Sequence, residues 1–132
     1  MKDNFFRCNE NSLVIKKNNE VTIESPPLIN SKAILYKGSE VVGMLHVSDQ
    51  NGLNKITDFL TEIKKNEESF QPQNIFIAMK TYGIDFDDDK ELKTISKKID
   101  LPIDELQNNI ISMDAKSILT ISGKETETIQ FY

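Results

Sequence analysis

One cysteine, one histidine and no excess of positive charge mark this chain of 132 residues. A single thiol, Cys8, can form no internal disulfide and cannot supply a cysteine-based zinc site. Sixteen basic residues against twenty-one acidic ones leave a net charge of −5, which disfavours nucleic acid or an anionic membrane as partner. No apolar run approaches the length that spans a bilayer, and the longest, Ile75-Phe76-Ile77-Ala78-Met79, reads as a core strand. Glycine-rich phosphate loops and Walker patterns are missing, so nothing supports a nucleotide, and no cofactor is expected. The first seven residues hold no apolar stretch of signal-peptide length. A reducing cytoplasm is the expected location, although secretion without a signal would leave no trace in such a sequence.

What is present suits one globular domain over residues 1–132. Leu13-Val14-Ile15-Lys16-Lys17 and Glu20-Val21-Thr22-Ile23-Glu24 read as a β-hairpin turning at Asn18-Asn19. Ser25-Pro26-Pro27 stops the second arm, because proline cannot donate to a ladder. Ala33-Ile34-Leu35-Tyr36 resumes as a strand, and Lys37-Gly38-Ser39 turns it into Glu40-Val41-Val42-Gly43-Met44-Leu45-His46-Val47-Ser48. Both faces of that last strand are apolar, one through Val41, Leu45 and Val47, the other through Val42 and Met44. Burial on two sides is expected.

Leu53, Ile56, Leu60 and Ile63 then recur at helical spacing to about Lys65, beside Phe59. Residues 66–73 read as a polar loop and 74–82 as a strand. A second helix follows the acidic run, with Leu92, Ile95 and Ile99 on one face, and Pro102 opens a further turn through Leu106. Ile110-Ile111-Ser112-Met113 and a terminal hairpin, 117–121 with 125–131, complete an α+β order: mixed β-sheet layers flanked by two main helices.

Three features invite chemistry. Asp85-Phe86-Asp87-Asp88-Asp89 fails as a calcium loop, because Lys90 and Ser96 stand where the glycine and the bidentate glutamate belong. It reads instead as an acidic start to the helix that follows, and no metal site is expected. Cys8 adjoins Arg7, which could lower its pKa, yet beside a flexible terminus it reads as a bystander thiol. His46 is the remaining candidate, since imidazole titrates near neutrality. A lone histidine on an apolar strand is more often core than catalyst. Ser25 and Ser31, however, lie at the strand break before it, and a serine needs an adjacent base to become nucleophilic.

Residues 25–47 resemble the CheD-like glutamine deamidases, which share a fold with the catalytic domains of cytotoxic necrotizing factors and with YfiH-like hydrolases. In that family a threonine, a glycine-containing loop ending in the nucleophilic cysteine, a strand and a Gly-x-x-His strand follow one another. Gly43-Met44-Leu45-His46 matches the last element. Counting back with one gap puts Ser31 at the cysteine and Ser25 at the threonine. The later order of helix, strand, helix, strand and hairpin is also similar, which implies a CheD-like fold for nearly the whole domain. The resemblance implies Ser31 as nucleophile toward a glutamine amide, His46 as general base and then acid, and Ser25 as the group orienting the imidazole.

Departures from the family pattern bear on activity. Serine is not ionised near neutrality, and no acidic third member is evident. Pro26-Pro27-Leu28-Ile29-Asn30 replaces the glycine loop, and Asp114-Ala115-Lys116 replaces a later glycine pair. Ser31 is either the natural residue or a substitute for cysteine; the altered loop argues for the former. The expectation is a domain that has lost deamidase turnover, a pseudoenzyme acting through a protein partner. The alternatives are a serine-dependent amidohydrolase using Ser31 and His46, and an unrelated α+β interaction domain. The last would be marked by Ser31 lying far from the His46 ring together with a different strand order.

Overall fold

The computed structural model describes residues 5–17, 22–25, 28, 31–81, 85, 88–112, 117–122 and 126–130; for residue 5 and the last two segments only the backbone is considered. The fold is α+β. Strands β1 (Phe5–Arg7), β2 (Leu13–Lys17), β3 (Thr22–Glu24), β4 (Lys32–Lys37) and β5 (Val41–Val47) come first. Helices α1 (Gln50–Leu53) and α2 (Ile56–Asn66), strand β6 (Ile75–Met79), and helices α3 (Lys90–Ile99) and α4 (Ile103–Leu106) follow. Strands β7 (Ile110–Ser112), β8 (Ser117–Ser122) and β9 (Thr126–Gln130) close the chain.

Two mixed sheets form, in the orders β2-β5-β4-β6-β7 and β1-β3-β8-β9. The five-stranded sheet is the middle layer. Its helix-facing side carries Ile34, Tyr36, Val41, Leu45, Val47, Ile75 and Ile77, packed against Ile56, Phe59 and Ile63 of α2 and Leu92, Ile95 and Ile99 of α3. Its other side carries Ala33, Leu35, Val42, Met44 and Ala78, which meet Cys8, Ile23 and Leu28 and, partly buried, Phe6. Apolar residues on alternate positions thus serve two cores, and β5 is buried along its entire length. At about 25 cal/mol per Å² of apolar surface removed from water, this two-sided strand is among the most stabilising elements of the fold.

The predicted helix from Leu53 to Lys65 is interrupted at Asn54 and Lys55. Asp49 caps the first piece by accepting from the Asn51 N–H at 2.8 Å. Gly52 then lets that turn press on the end of β5, for a Cβ there would stand 2.8 Å from Val47 Cα. The second helix and the turn after Pro102 form as the spacing predicts, with Asp89 accepting from the Leu92 N–H at 3.0 Å. Strand β6 is shorter than its predicted span: Asn74 belongs to a 3-10 turn, and Lys80 and Thr81 lie beyond the ladder. The terminal hairpin is present as β8 paired antiparallel with β9.

The first predicted hairpin does not form. Strand β2 pairs with β5, whereas β3 pairs with β1 and β8 in the other sheet. Asn18-Asn19, outside the described residues, has the composition of a turn, but turn composition does not decide which sheet receives the next strand. Pairing with β5 and β8 gives each arm a ladder and an apolar layer that an isolated two-stranded ribbon lacks. Cys8 is likewise no appendage to a loose terminus. It is fully buried, and its N–H donates to the Glu24 carbonyl at 2.7 Å. Among the described residues, no helix is long and apolar enough to cross a membrane.

Candidate functional site

The β4–β5 ladder sets Ala33 opposite His46 and Lys32 opposite Val47. Side chains alternate along strands, so Ser31, one residue before β4, falls on the same side as Ala33 and His46. That side faces the four-stranded sheet. There the Ser31 hydroxyl lies 2.9 Å from His46 Nε2. Both residues are enclosed, with 8% of Ser31 and 1% of His46 exposed. Gly43, the first residue of the Gly-x-x-His segment, sits three positions upstream, where a Cβ would come within 3.1 Å of Phe59. Its role here is to let α2 close on β5.

Burial lowers the pKa of His46 from its ordinary 6.5, against the opposing influence of the Cys8 backbone and the Glu10 charge. The imidazole is therefore held toward its neutral form. For Ser31 to donate its proton, Nε2 must be bare, which places the ring proton on Nδ1. Nδ1 is buried, and among the described residues no side chain partners it; the Cys8 backbone favours the protonated ring from that quarter.

Ser25 follows β3 and is fully buried, yet among the described residues its hydroxyl also has no partner. Ser31 and His46 are thus brought into hydrogen-bond contact, and Ser25 is not joined to His46. The replacement loop at Pro26, Pro27, Ile29 and Asn30 lies outside the described residues, as does 114–116. Leu28 is described, and it is buried between the sheets.

Cys8 borders the same layer. Its sulfur lies 3.2 Å from the Ser12 carbonyl oxygen and 3.4 Å from that of Met44, two acceptors for its one proton, and burial pushes its pKa from 9.0 to about 11. A thiol so held is a packing residue rather than a nucleophile.

Three charged features escaped the sequence reasoning. Lys32, the neighbour of Ser31, points to the helix side and pairs with Glu91 at 2.7 Å and Asp89 at 3.5 Å. Asp89 therefore belongs to a half-enclosed ion cluster as well as capping α3. Glu67, inside the predicted polar loop, is buried and accepts from the N–H groups of Ser39, Glu40 and Val41. Glu10 lies on the turn beside His46. The signals for all three are long-range pairings, which local pattern does not carry. Among the described residues, no group of three or more His, Cys, Asp or Glu side chains could hold a metal ion. A shallow polar cavity lined by Gln73, Leu101, Glu105, Asn108 and Asn109 does not include the Ser31–His46 pair.

No family model matches the chain, and no curated protein matches it.

Proposed function

We propose that this chain is a CheD-like domain that has lost glutamine-deamidase turnover and acts by binding a protein partner. The observation that carries the proposal is the condition of His46: enclosed, engaged by Ser31 through Nε2, and, among the described residues, without a side-chain partner at Nδ1. Acylating a serine requires the imidazole to take up a full proton as the hydroxyl attacks. Burial reduces the proton affinity of this imidazole. Among the described residues, no carboxylate is hydrogen-bonded to Nδ1 to hold the imidazolium once it forms. Both effects oppose the same step. A cysteine would begin a few per cent ionised at neutrality, so the same scaffold would run thiol chemistry with less demand on the base.

The family reading draws support from the contact itself, since an accidental likeness gives no reason for Ser31 to reach His46. The order α2, β6, α3, β7 and the β8–β9 hairpin supports it as well. A domain descended from enzymes that act on glutamine side chains of proteins keeps, after losing turnover, a surface shaped to meet a protein. The partner is then a protein of the kind such relatives deamidate.

Ammonia release from glutamine-bearing proteins tests the proposal. The wild type is expected to match Ser31→Ala and His46→Ala, while Ser31→Cys gains turnover that a further His46→Ala change removes. Wild-type turnover that disappears in both single alanine variants would overturn the loss of activity. That result would establish the second reading, a serine-dependent amidohydrolase, which the 2.9 Å contact favours. A silent but folded Ser31→Cys variant would count against deamidase ancestry.

A further inference from the structure

Ser31 lies just outside the ladders that carry its site. The β4–β5 register ends with Lys32 opposite Val47, and the β4–β6 register ends with Ala33 opposite Ala78. Among the described residues, Ser31 therefore has no rung of its own, and Lys32 has one on a single side. Strand ends of this kind open at low cost. Opening by one residue would carry the hydroxyl away from Nε2, and a hydrogen bond of 2.9 Å tolerates little displacement.

The same strand end is held by charge on the other side of the sheet. Side chains alternate, so the residue after Ser31 points at the helices. There Lys32 Nζ meets Glu91 Oε1 at 2.7 Å and Asp89 Oδ2 at 3.5 Å. Both acids belong to the start of α3, which is packed on the sheet through Leu92, Ile95 and Ile99. The Lys32 and Asp89 side chains are only 11% and 13% exposed, so solvent and salt screen the pair weakly. Pulling the ammonium from both carboxylates would leave an enclosed charge unpaired, and that cost opposes any opening of the strand end.

We propose that Lys32 is a positioning residue for the Ser31–His46 pair: clamped by Asp89 and Glu91 on the helix side, it keeps the last rung of β4 closed and so holds the Ser31 hydroxyl on Nε2. The inference rests on the reading of Ser31 and His46 as one site, and it adds the start of α3 to the elements that build that site. Lys32 touches neither member of the pair. It acts through the single peptide link to Ser31, with the two side chains anchored on opposite faces of the sheet. The ladder aligns β4 with β5, and the ion cluster keeps the end of that ladder from fraying.

His46 is the only histidine, so heteronuclear NMR of the labelled protein gives a single imidazole Nε2 signal, whose shift reads the hydrogen bond at that atom. Well above pH 6.5 the ring is neutral, and Ser31→Ala marks the shift without the bond. Lys32→Met removes the ammonium, keeps an apolar side chain of similar length, and leaves Asp89 to cap α3. It is expected to move the Nε2 signal most of the way from the wild-type position to that of Ser31→Ala. Lys32→Arg, which keeps the charge, should recover at least part of the wild-type shift. Glu91→Ala should move the signal in the same direction by less, because Asp89 still holds the ammonium. A folded Lys32→Met protein with the wild-type Nε2 signal would overturn the proposal. So would an arginine variant displaced as far as the methionine one, since charge would then not be the cause. If Lys32→Met does not fold, Glu91→Ala decides, and an unmoved signal there overturns the proposal. The readout is independent of turnover. Deamidation by the wild type would overturn the preceding proposal and leave this one standing, and a wild-type signal in Lys32→Met would do the reverse.

Discussion

Ser31 and His46, fifteen residues apart in sequence, meet at 2.9 Å because the β4–β5 ladder puts Ala33 opposite His46. The register does the aligning: shifting either strand by one residue would turn His46 toward the helices and away from Ser31. The pair is therefore as firmly set as the ladder that carries it.

Ser31→Ala should destabilise the protein by about 1–3 kcal/mol, because it leaves buried Nε2 without its partner. Ser31→Cys, which keeps a donor, should cost less. Equilibrium denaturant unfolding checks both, and an alanine variant as stable as the wild type would show that the contact contributes nothing.

The same histidine gives stability a dependence on mild acid. Its folded pKa lies below the ordinary 6.5, so the unfolded chain takes up a proton first. The contribution of neutral His46 is present above 6.5 and is lost as pH falls from there toward the lowered folded value. His46→Gln should flatten that part of the stability–pH curve, and an unchanged slope would assign the titration to other groups.

Glu67 governs a more acid region. Burial pushes its pKa up, but the N–H groups of Glu40, Ser39 and Val41 and the Ser39 hydroxyl outweigh this and leave it below its ordinary 4.5. Its stabilisation is accordingly full above 4.5 and lost as pH drops through the lowered value. Glu67→Ala should cost about 1–3 kcal/mol at neutral pH, through the unsatisfied N–H groups of the β4–β5 turn, and should remove this acid limb. Thermal unfolding across acid pH measures both effects.

Cys8 predicts behaviour at the alkaline end. With the folded thiol at about 11 and the ordinary value at 9.0, its contribution is present below 9.0 and lost as pH rises through 11. A chromogenic disulfide reagent should leave the folded protein unmodified and react at the rate of unfolding. Prompt labelling under native conditions would contradict the burial of Cys8.

The sequence carried those elements that announce themselves locally. Val41, Leu45 and Val47 against Val42 and Met44 already require a strand buried on two sides, and that is β5. Leu92, Ile95 and Ile99 already describe one helix face. What could not be read depends on distant partners. Asn18-Asn19 signals a reversal of direction without saying that β2 and β3 go to different sheets. Glu67 looks like loop polarity until its carboxylate meets N–H groups nearly thirty residues earlier, and Lys32 finds Glu91 fifty-nine residues later. For the site, periodicity gave His46 a strand and nothing more; the family likeness joined it to Ser31. Alignment of Ser25 with a family position did not determine where its hydroxyl would find a hydrogen bond.

The four-stranded sheet sets Ile23 opposite Ile121, so β3 gains its antiparallel neighbour from almost the other end of the chain. The middle sheet and its helices need nothing beyond Ser112. On the ribosome, then, β3 emerges with one edge still awaiting β8, an unpaired edge that chaperones would meet. Truncation before Ser117 should prolong that exposure indefinitely. The four-stranded sheet is the last part of the molecule to be completed.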